Sequence, residues 1–496
     1  MAAFTDLADL AAERLGGRVL FANDDFFAPK ENLLRPEPAA FLPDRYTDRG
    51  KWMDGWETRR RRTPGNDFCA VRLGLAGRLR GVDVDTSHFT GNFPEAFSLE
   101  AAFAPAGLPA GSLEAAGDPW VEVVPRTALA GDTHNLVAIR GAPRATHVRL
   151  HIHPDGGVAR LRVYGEVEPD VRRLVAGADL AALESGGLVV ASSDAFFSPP
   201  LNLLMPGRSA GMHDGWETKR SRRPAGFDWA VVRLGTRGTI ARAVVDTSFF
   251  KGNYPDRASL VIVDAPLATR EDLLDAGFPW RPLLGEEKLA ADTEHVFEAE
   301  LLAHAPGTHV RLKIHPDGGV ARLRLFGRPA PGDFLRRLNA ASREDALSML
   351  TAVCGGGRFS SKVEERRPFV TEASLAASVS DTFEESFSPS DWLEAFAAHP
   401  RLGERGAPAR EAAEQASALS APASVLAELA ALNAEYEKRF GHIFIACAAG
   451  QPAAALLGRL KERLGNTPKA ELAIAAEEQK KITRLRLAKL LAEEAG

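Results

Sequence analysis

Two near-copies of one charged string stand 160 residues apart. KWMDGWETRRRR sets Asp54, Glu57, Arg60 and Arg62 in the register that MHDGWETKRSRR gives Asp214, Glu217, Arg220 and Arg222. Carboxylates can deliver or take protons, and arginine's planar fork matches a carboxylate. A second pair of strings, VDTSHFTGNFP and VDTSFFKGNYP, adds Asp85, Thr86, Ser87 and Asn92 to the first set. Packing of tryptophan under a solvated loop would account for the same residues. Identity between copies does not separate the two readings, because repeats share structural residues as readily as functional ones. Differences say more. The first copy has His88 where the second has Phe249, and His134 where the second has Glu294. Any two sites are therefore expected to be inequivalent. The basic run Arg59–Arg62 reads as a solvated loop or as a catcher of anions.

A third candidate lies far downstream. DWLEAFAAHPRLGE spaces Trp392, Phe396 and His399 as on one helix face, and Pro400 should end that helix. Arg486 falls two heptads after Leu472 and four residues after Ile482, so it should point inward. Glu414 and Gln415 sit in the alanine-rich string REAAEQASAL. Buried polar groups are costly unless paired, so a polar pocket inside a helical bundle is expected. A divalent metal held by carboxylates with His88, His134, His151 or His153 is a further option, though no tight spacing such as HExxH occurs. His151 and His153, two apart on a strand, are more simply a structural pair.

The positioning elements follow from a duplication. THVRLHIHPDGGVARLR from Thr146 and THVRLKIHPDGGVARLR from Thr308 agree at sixteen of seventeen positions. Matching strings run in the same order at offsets of 170, 160, 161 and 162. The first copy thus holds about ten extra residues near Arg35–Lys51. Val148, Leu150 and Ile152 alternate with His147, Arg149 and His151, which is strand periodicity. PDGG is turn chemistry, so HPDGGVARLR is expected to be a hairpin in each copy, at Pro154–Gly157 and Pro316–Gly319. Many short strands with turns predict two tandem β-sandwiches of jelly-roll type, near 17–168 and 187–330. RPAPGD at 328–333 marks a boundary. Beyond about 334 the pattern is helical, ending in one long helix. The expected domains are 1–168, 169–330 and 331–496.

Bulk properties narrow the classes. The 496 residues are 45% apolar and 26% charged, with net charge −5. This is ordinary soluble protein, and it argues against bulk nucleic-acid or membrane binding. Three scattered cysteines suggest no disulfide framework. The first fifteen residues do not read as a secretory signal, and no apolar run is long enough to span a bilayer. A cytoplasmic enzyme is expected.

FANDDFFAPKENLL, KWMDGWETRRRR and VDTSHFTGNFPE, with their later echoes, resemble allantoicase over about Leu7–Ala330. The resemblance implies paired jelly-roll, galactose-binding-like domains that hydrolyse allantoate to ureidoglycolate and urea. On that footing Glu57, Asp54, Asp85 and His88 are the catalytic candidates. Arg60, Arg220, Glu217 and Asn92 are the substrate-binding ones. HPRLGE, EQASAL, LNAEYEKRFGHIFIACAAG and RLGNTPKAELAIAAEEQKKITRLRL resemble 2-oxo-4-hydroxy-4-carboxy-5-ureidoimidazoline (OHCU) decarboxylase over about Phe334–Leu491. That resemblance implies that His399 transfers the proton. It also implies that Pro400, Glu414, Gln415, Phe444, Ile445, Ala446, Cys447, Ala448 and Arg486 bind substrate, and that no cofactor is required. Glu411 stands where that family usually has serine. Together the resemblances imply a bifunctional enzyme acting on small ureides, expected as a homo-oligomer. The alternative is a tandem jelly-roll binding module with a non-catalytic helical domain. Such modules usually expose aromatics at loop tips, whereas these tryptophans sit in acid- and arginine-rich strings.

Overall fold

The chain is described here from a computed structural model covering residues 3–104, 119–141, 144–221, 226–401, 422–449 and 451–492. It divides into two compact units, Met1–Asp264 with Ala268–Ala330, and Ala265–Leu267 with Pro331–Gly496.

The first unit holds the duplicated sandwiches. In each, one strand of nineteen residues serves both sheets. In the first copy this is Asp67–Asp85. Its first part pairs with Arg18–Ala22 and Arg144–His153, and its last part with His134–Ala138 and Arg160–Val167, all antiparallel. Glycine permits the crossing from sheet to sheet, since a side chain at Gly77 would meet the Glu166 carbonyl oxygen at 2.4 Å. Asp228–Asp246 repeats the arrangement with Leu188–Ser192, Gly307–His315, Glu294–Phe297 and Arg322–Pro329. Strand alternation comes out as read. Val148, Leu150 and Ile152 are fully buried, as are their counterparts Val310, Leu312 and Ile314. One apolar cluster runs through both sandwiches. Arg233 of the second reaches Glu166 of the first at 3.5 Å, and Arg14 of the first reaches Asp214 of the second at 2.8 Å.

The repeated string HPDGGVARLR is not a hairpin. Its flanking strands, Arg144–His153 and Arg160–Val167, do not pair with each other; each pairs with Asp67–Asp85, the first mainly along its beginning and the second along its end, with only Gly77 and Arg78 shared. The turn residues bond outward instead. Gly157 and Val158 pair with Glu57 and Trp56, and the Asp155 carboxylate accepts from the Arg61 amide at 2.7 Å. The Gly157 amide donates to the Asn92 carbonyl at 2.8 Å. Turn chemistry is local and fixes the reversal. Partner choice is tertiary, and here the chain leaves one sheet and enters the other.

The second unit is helical among its described residues. Helices run over Asp333–Ala340, Arg343–Cys354, Gly357–Glu364, Glu372–Ser386, Pro389–Ala397, Ala423–Phe440, Ala453–Arg463 and Pro468–Ala492. The last is the single long helix expected, with Pro468 at its start, where a missing N–H costs nothing. Arg486 points inward, 4% exposed. Among the described residues, no helix is long and apolar enough to cross a membrane.

Candidate active sites

The first copy has a cleft of about 520 Å3 at its loop end. Glu57 lies in the short strand Trp56–Glu57, held by the HPDGG turn and by Ala28. Asn92 lies 35 residues on, and its Nδ2 donates to Glu57 Oε1 at 2.7 Å. Burial raises the Glu57 carboxyl above the ordinary glutamate range, and the Asn92 bond only partly offsets it. His88 completes the group. Its backbone is left-handed, φ 68°, and its amide donates to Asp132 Oδ1 at 2.7 Å. His88 Nε2 lies 3.1 Å from the Ala39 carbonyl oxygen. A carbonyl only accepts, so Nε2 carries the proton and Nδ1 is left as the acceptor of the neutral ring. Phe41 stacks on this imidazole at 5.6 Å. Lys51, Met53 and Thr90 line the cleft as well.

Two of the four catalytic candidates are placed elsewhere. Asp54 is buried and saturated. It accepts from Arg160 at 2.8 Å and the Ala40 amide at 2.9 Å, and pairs with Arg35 at 3.4 Å. Burial alone would raise its pKa, but Arg160 and the backbone bond outweigh it and hold the carboxyl low. Asp85 is 3% exposed and caps its own turn, accepting from the Ser87 amide at 2.8 Å. Both hold loops and neither lines the cleft. Arg60 is exposed three residues beyond Glu57 and is not among the lining side chains. Sequence reading passed over Lys51, Phe41 and Asp132. The ten extra residues were the available signal for the first two.

The second copy keeps part of this. Asn253 donates to Glu217 at 2.5 Å, and Asp214 binds Arg322 at 2.7 Å. Phe249 replaces His88 in the same left-handed backbone, φ 71°. Arg220, exposed, reaches Asp317 at 3.4 Å and the Gly252 carbonyl at 3.0 Å. Arg222 lies outside the described residues.

Metal donors do not converge. Among the described residues no three of His, Cys, Asp and Glu are placed to hold an ion. His134 binds Asp83 at 2.7 Å, while His151 binds Glu100 at 2.7 Å. His153 lies 3.0 Å from the Ser98 hydroxyl. Among the described residues, these histidines are each engaged with a different partner and do not form a three-donor set.

In the helical unit, His399 sits just past the helix Pro389–Ala397, where Pro400 stops it. His399 and Pro400 line a small pocket of about 50 Å3 with the extended segment Phe444–Ala449. Ile482, Leu485 and Lys489 of the long helix close it. The extended segment is fixed from outside the pocket. The Cys447 amide donates to Glu478 at 2.8 Å, and the Ile445 carbonyl accepts from Arg463 at 2.8 Å. Arg463 and Tyr436 in turn bind the fully buried Glu471. Phe444, Ile445, Ala446, Cys447 and Ala448 are thus brought to His399, whereas Arg486 is not among the lining residues. Lys489 and Leu485 were not singled out from sequence. Glu411, Glu414 and Gln415 lie outside the described residues.

Fold and site define an antiparallel jelly-roll pair with a half-buried acid in one cleft, joined to a helical unit with a histidine-bearing pocket. The allantoicase repeat model matches residues 8–168 and 178–330, and the OHCU decarboxylase model matches residues 339–488. The chain belongs to the allantoicase family and carries an OHCU decarboxylase domain behind the repeats. It is 53% identical over 321 residues to probable allantoicase 1 of Burkholderia mallei, spanning 64% of this chain and 94% of that protein. The crystal structure of the Saccharomyces cerevisiae allantoicase is 33% identical, with a TM-score of 0.55, covering 66% of this chain and 96% of that one. A structure described as OHCU decarboxylase in the presence of (S)-allantoin is 39% identical, with a TM-score of 0.28, covering 31% of this chain and 100% of that one.

Proposed function

We infer that the chain is a bifunctional enzyme of purine catabolism. The sandwich unit hydrolyses allantoate to ureidoglycolate and urea, and the helical unit decarboxylates OHCU to (S)-allantoin. The observation that carries the first activity is the Glu57–Asn92 pair beside His88 in an open cleft. Breaking the bond from the central carbon to a ureido nitrogen requires a proton on the departing urea and an activated water for the carbon left behind. A carboxyl raised by burial and an imidazole with one free acceptor are groups of the right kind. Asn92 fixes one oxygen of Glu57 and leaves the other to the substrate. Asp54, on this reading, positions the loop that carries Ala39 and does not touch substrate.

For the second activity the supporting observation is His399 held at a helix end against a pocket wall. Loss of CO2 leaves a carbon to be reprotonated on one face. Imidazole can transfer that proton near neutral pH. The decarboxylase product is a closed ring and the hydrolase substrate an open one, so a separate ring-opening reaction lies between them. Assay of urea release from allantoate tests the first reading. Circular dichroism of the product tests the second. His399→Asn should abolish stereospecific (S)-allantoin formation with the helical content unchanged, and retention of full rate and handedness would remove His399 from that role. A pair of non-catalytic binding modules would show neither activity. The fully buried Trp56 and Trp216 speak against that alternative, since neither is presented at a loop tip.

A further inference from the structure

We propose that Lys51, carried on a hairpin that only the first repeat possesses, anchors the substrate's carboxylate and sets the cleft's preference for an anionic ureide. This rests on the allantoate reading above, which supplies the anion.

Four basic side chains of the flanking segments are neutralised locally. Lys30 pairs with Asp25 at 3.1 Å, Arg35 with Asp54 at 3.4 Å, Arg59 with Asp24 at 2.7 Å and Arg61 with Asp67 at 2.8 Å. Lys51 instead faces an aromatic ring, its Nζ 4.5 Å from the centroid of Phe41. A ring face steadies an ammonium without cancelling its charge or engaging its N–H donors conventionally. Phe41 stacks in turn on the His88 imidazole. Ammonium, phenyl and imidazole therefore follow one another along the wall of the cleft that Glu57 also lines. Among the described lining residues, Lys51 is the only lysine or arginine.

The lysine is also positioned. Tyr46–Thr47 pairs with Gly50–Lys51. Arg49 ties the hairpin down, donating to the Phe26 carbonyl at 3.0 Å and lying over the Phe26 ring. Arg45 packs over Trp52 at 4.7 Å. The second repeat has a shorter connection here, and the sulfur of Met212 lies 3.7 Å from Asn253 Nδ2. It keeps a carboxylate–amide pair without the cation. Arg60, the cation that sequence alone favours for the carboxylate, stands outside the lining.

The test uses the full chain and two substrates, allantoate and its neutral primary amide. Initial rates of urea release are measured for wild type, Lys51→Met and Lys51→Arg. Lys51→Met should raise KM for allantoate at least tenfold with kcat within threefold, and should bring the preference for allantoate over the amide close to unity. Lys51→Arg should restore most of that preference, because the charge returns. Thermal melts of the variants should match wild type, since Lys51 is exposed. An unchanged KM and preference in Lys51→Met would overturn the proposal while leaving the allantoate reading intact. A fall in kcat alone would overturn it equally. A wild type that releases no urea would sink both.

Discussion

The two sandwiches share a scaffold and differ at one wall. Both keep the long strand that serves two sheets, the buried tryptophan, the HPDGG crossing and the Glu–Asn pair. Only the first adds His88 and the hairpin with Phe41 and Lys51. After duplication, the residues that hold the loops and the Glu–Asn pair stayed alike, while one wall beside that pair diverged. What the copies have in common is therefore the scaffold and the Glu–Asn pair, and what distinguishes them is the wall that His88, Phe41 and Lys51 add to the first.

The largest expected contrast is between Glu57→Gln and Glu217→Gln. Removing a general acid or base costs about 10^2–10^4 in rate. Glu57→Gln should lower kcat/KM for allantoate at least a hundredfold, whereas Glu217→Gln should stay within threefold. Equal losses would mean that both repeats turn over substrate. Stability should move the other way. A carboxyl whose folded pKa is raised contributes stability below its unfolded pKa, and that contribution is lost as pH rises through the folded pKa. The ionised form of Glu57 is thus a burden on the fold, and Glu57→Gln should gain in melting temperature relative to wild type as pH rises from 4 to 7.5.

Next in size is the crossing itself. A side chain at Gly157 would meet the Phe89 ring at 1.9 Å, and one at Gly319 would meet Phe250 at the same distance. Both rings are fully buried. Overpacking of this kind costs about 1–3 kcal/mol, so Gly157→Ala and Gly319→Ala should destabilise similarly in urea melts. Their effects on turnover should differ. Gly157 bonds to Asn92 and pairs with Glu57, so Gly157→Ala should cut urea release even where the protein is folded, while Gly319→Ala should not.

Swapping the divergent residue sharpens the same contrast. His88→Phe gives the first repeat the second's side chain in a backbone already compatible with it, φ 68° against 71°. A tenfold drop in kcat, about 1.4 kcal/mol, with an unchanged melting temperature is expected. The reverse change, Phe249→His, should yield no new activity, because the second repeat lacks the hairpin. An unaffected kcat in His88→Phe would remove the imidazole from the reaction.

Much of this was legible from sequence, for physical reasons. Alternation marked the strands because one face of each is buried. The duplication marked the two sandwiches, and the heptad offset put Arg486 inside. The hairpin reading of HPDGG failed because turn residues specify a reversal and not the strands it joins. Sequence could not show that Asp54 and Asp85 stand back from the cleft lining, because a buried acid that caps a turn or pairs with an arginine carries the same letter as a catalytic one. Glu57 and Asn92 were both candidates, but only folding shows that they touch across 35 residues. The insert was visible as an offset. Its function was not, since its contacts are with a ring and a histidine brought in from elsewhere.

The smallest effect should come from Arg14, which links the repeats. In the first repeat the buried acid Asp54 has Arg160 and, from the same sandwich, Arg35. In the second, Asp214 has Arg322, and its further cation is Arg14 from the other sandwich, at 2.8 Å. Arg14 also donates to Asn202 at 3.3 Å. Its side chain is 44% exposed, so solvent screens the pair, and such bridges are worth about 0–1 kcal/mol. Asp214 would still keep Arg322 and the Ala210 amide after Arg14→Ala. The variant should therefore lose less than about 1 kcal/mol in urea melts, with the loss shrinking further at 1 M salt. Urea release from the first repeat should be unchanged, because nothing that lines its cleft depends on Arg14. A loss of several kcal/mol, or a transition that splits in two, would mean that this contact rather than the shared apolar cluster holds the sandwiches together. A fall in turnover would mean that the second repeat's loops communicate with the first repeat's cleft, and the division between an active copy and a supporting one would then have to be redrawn.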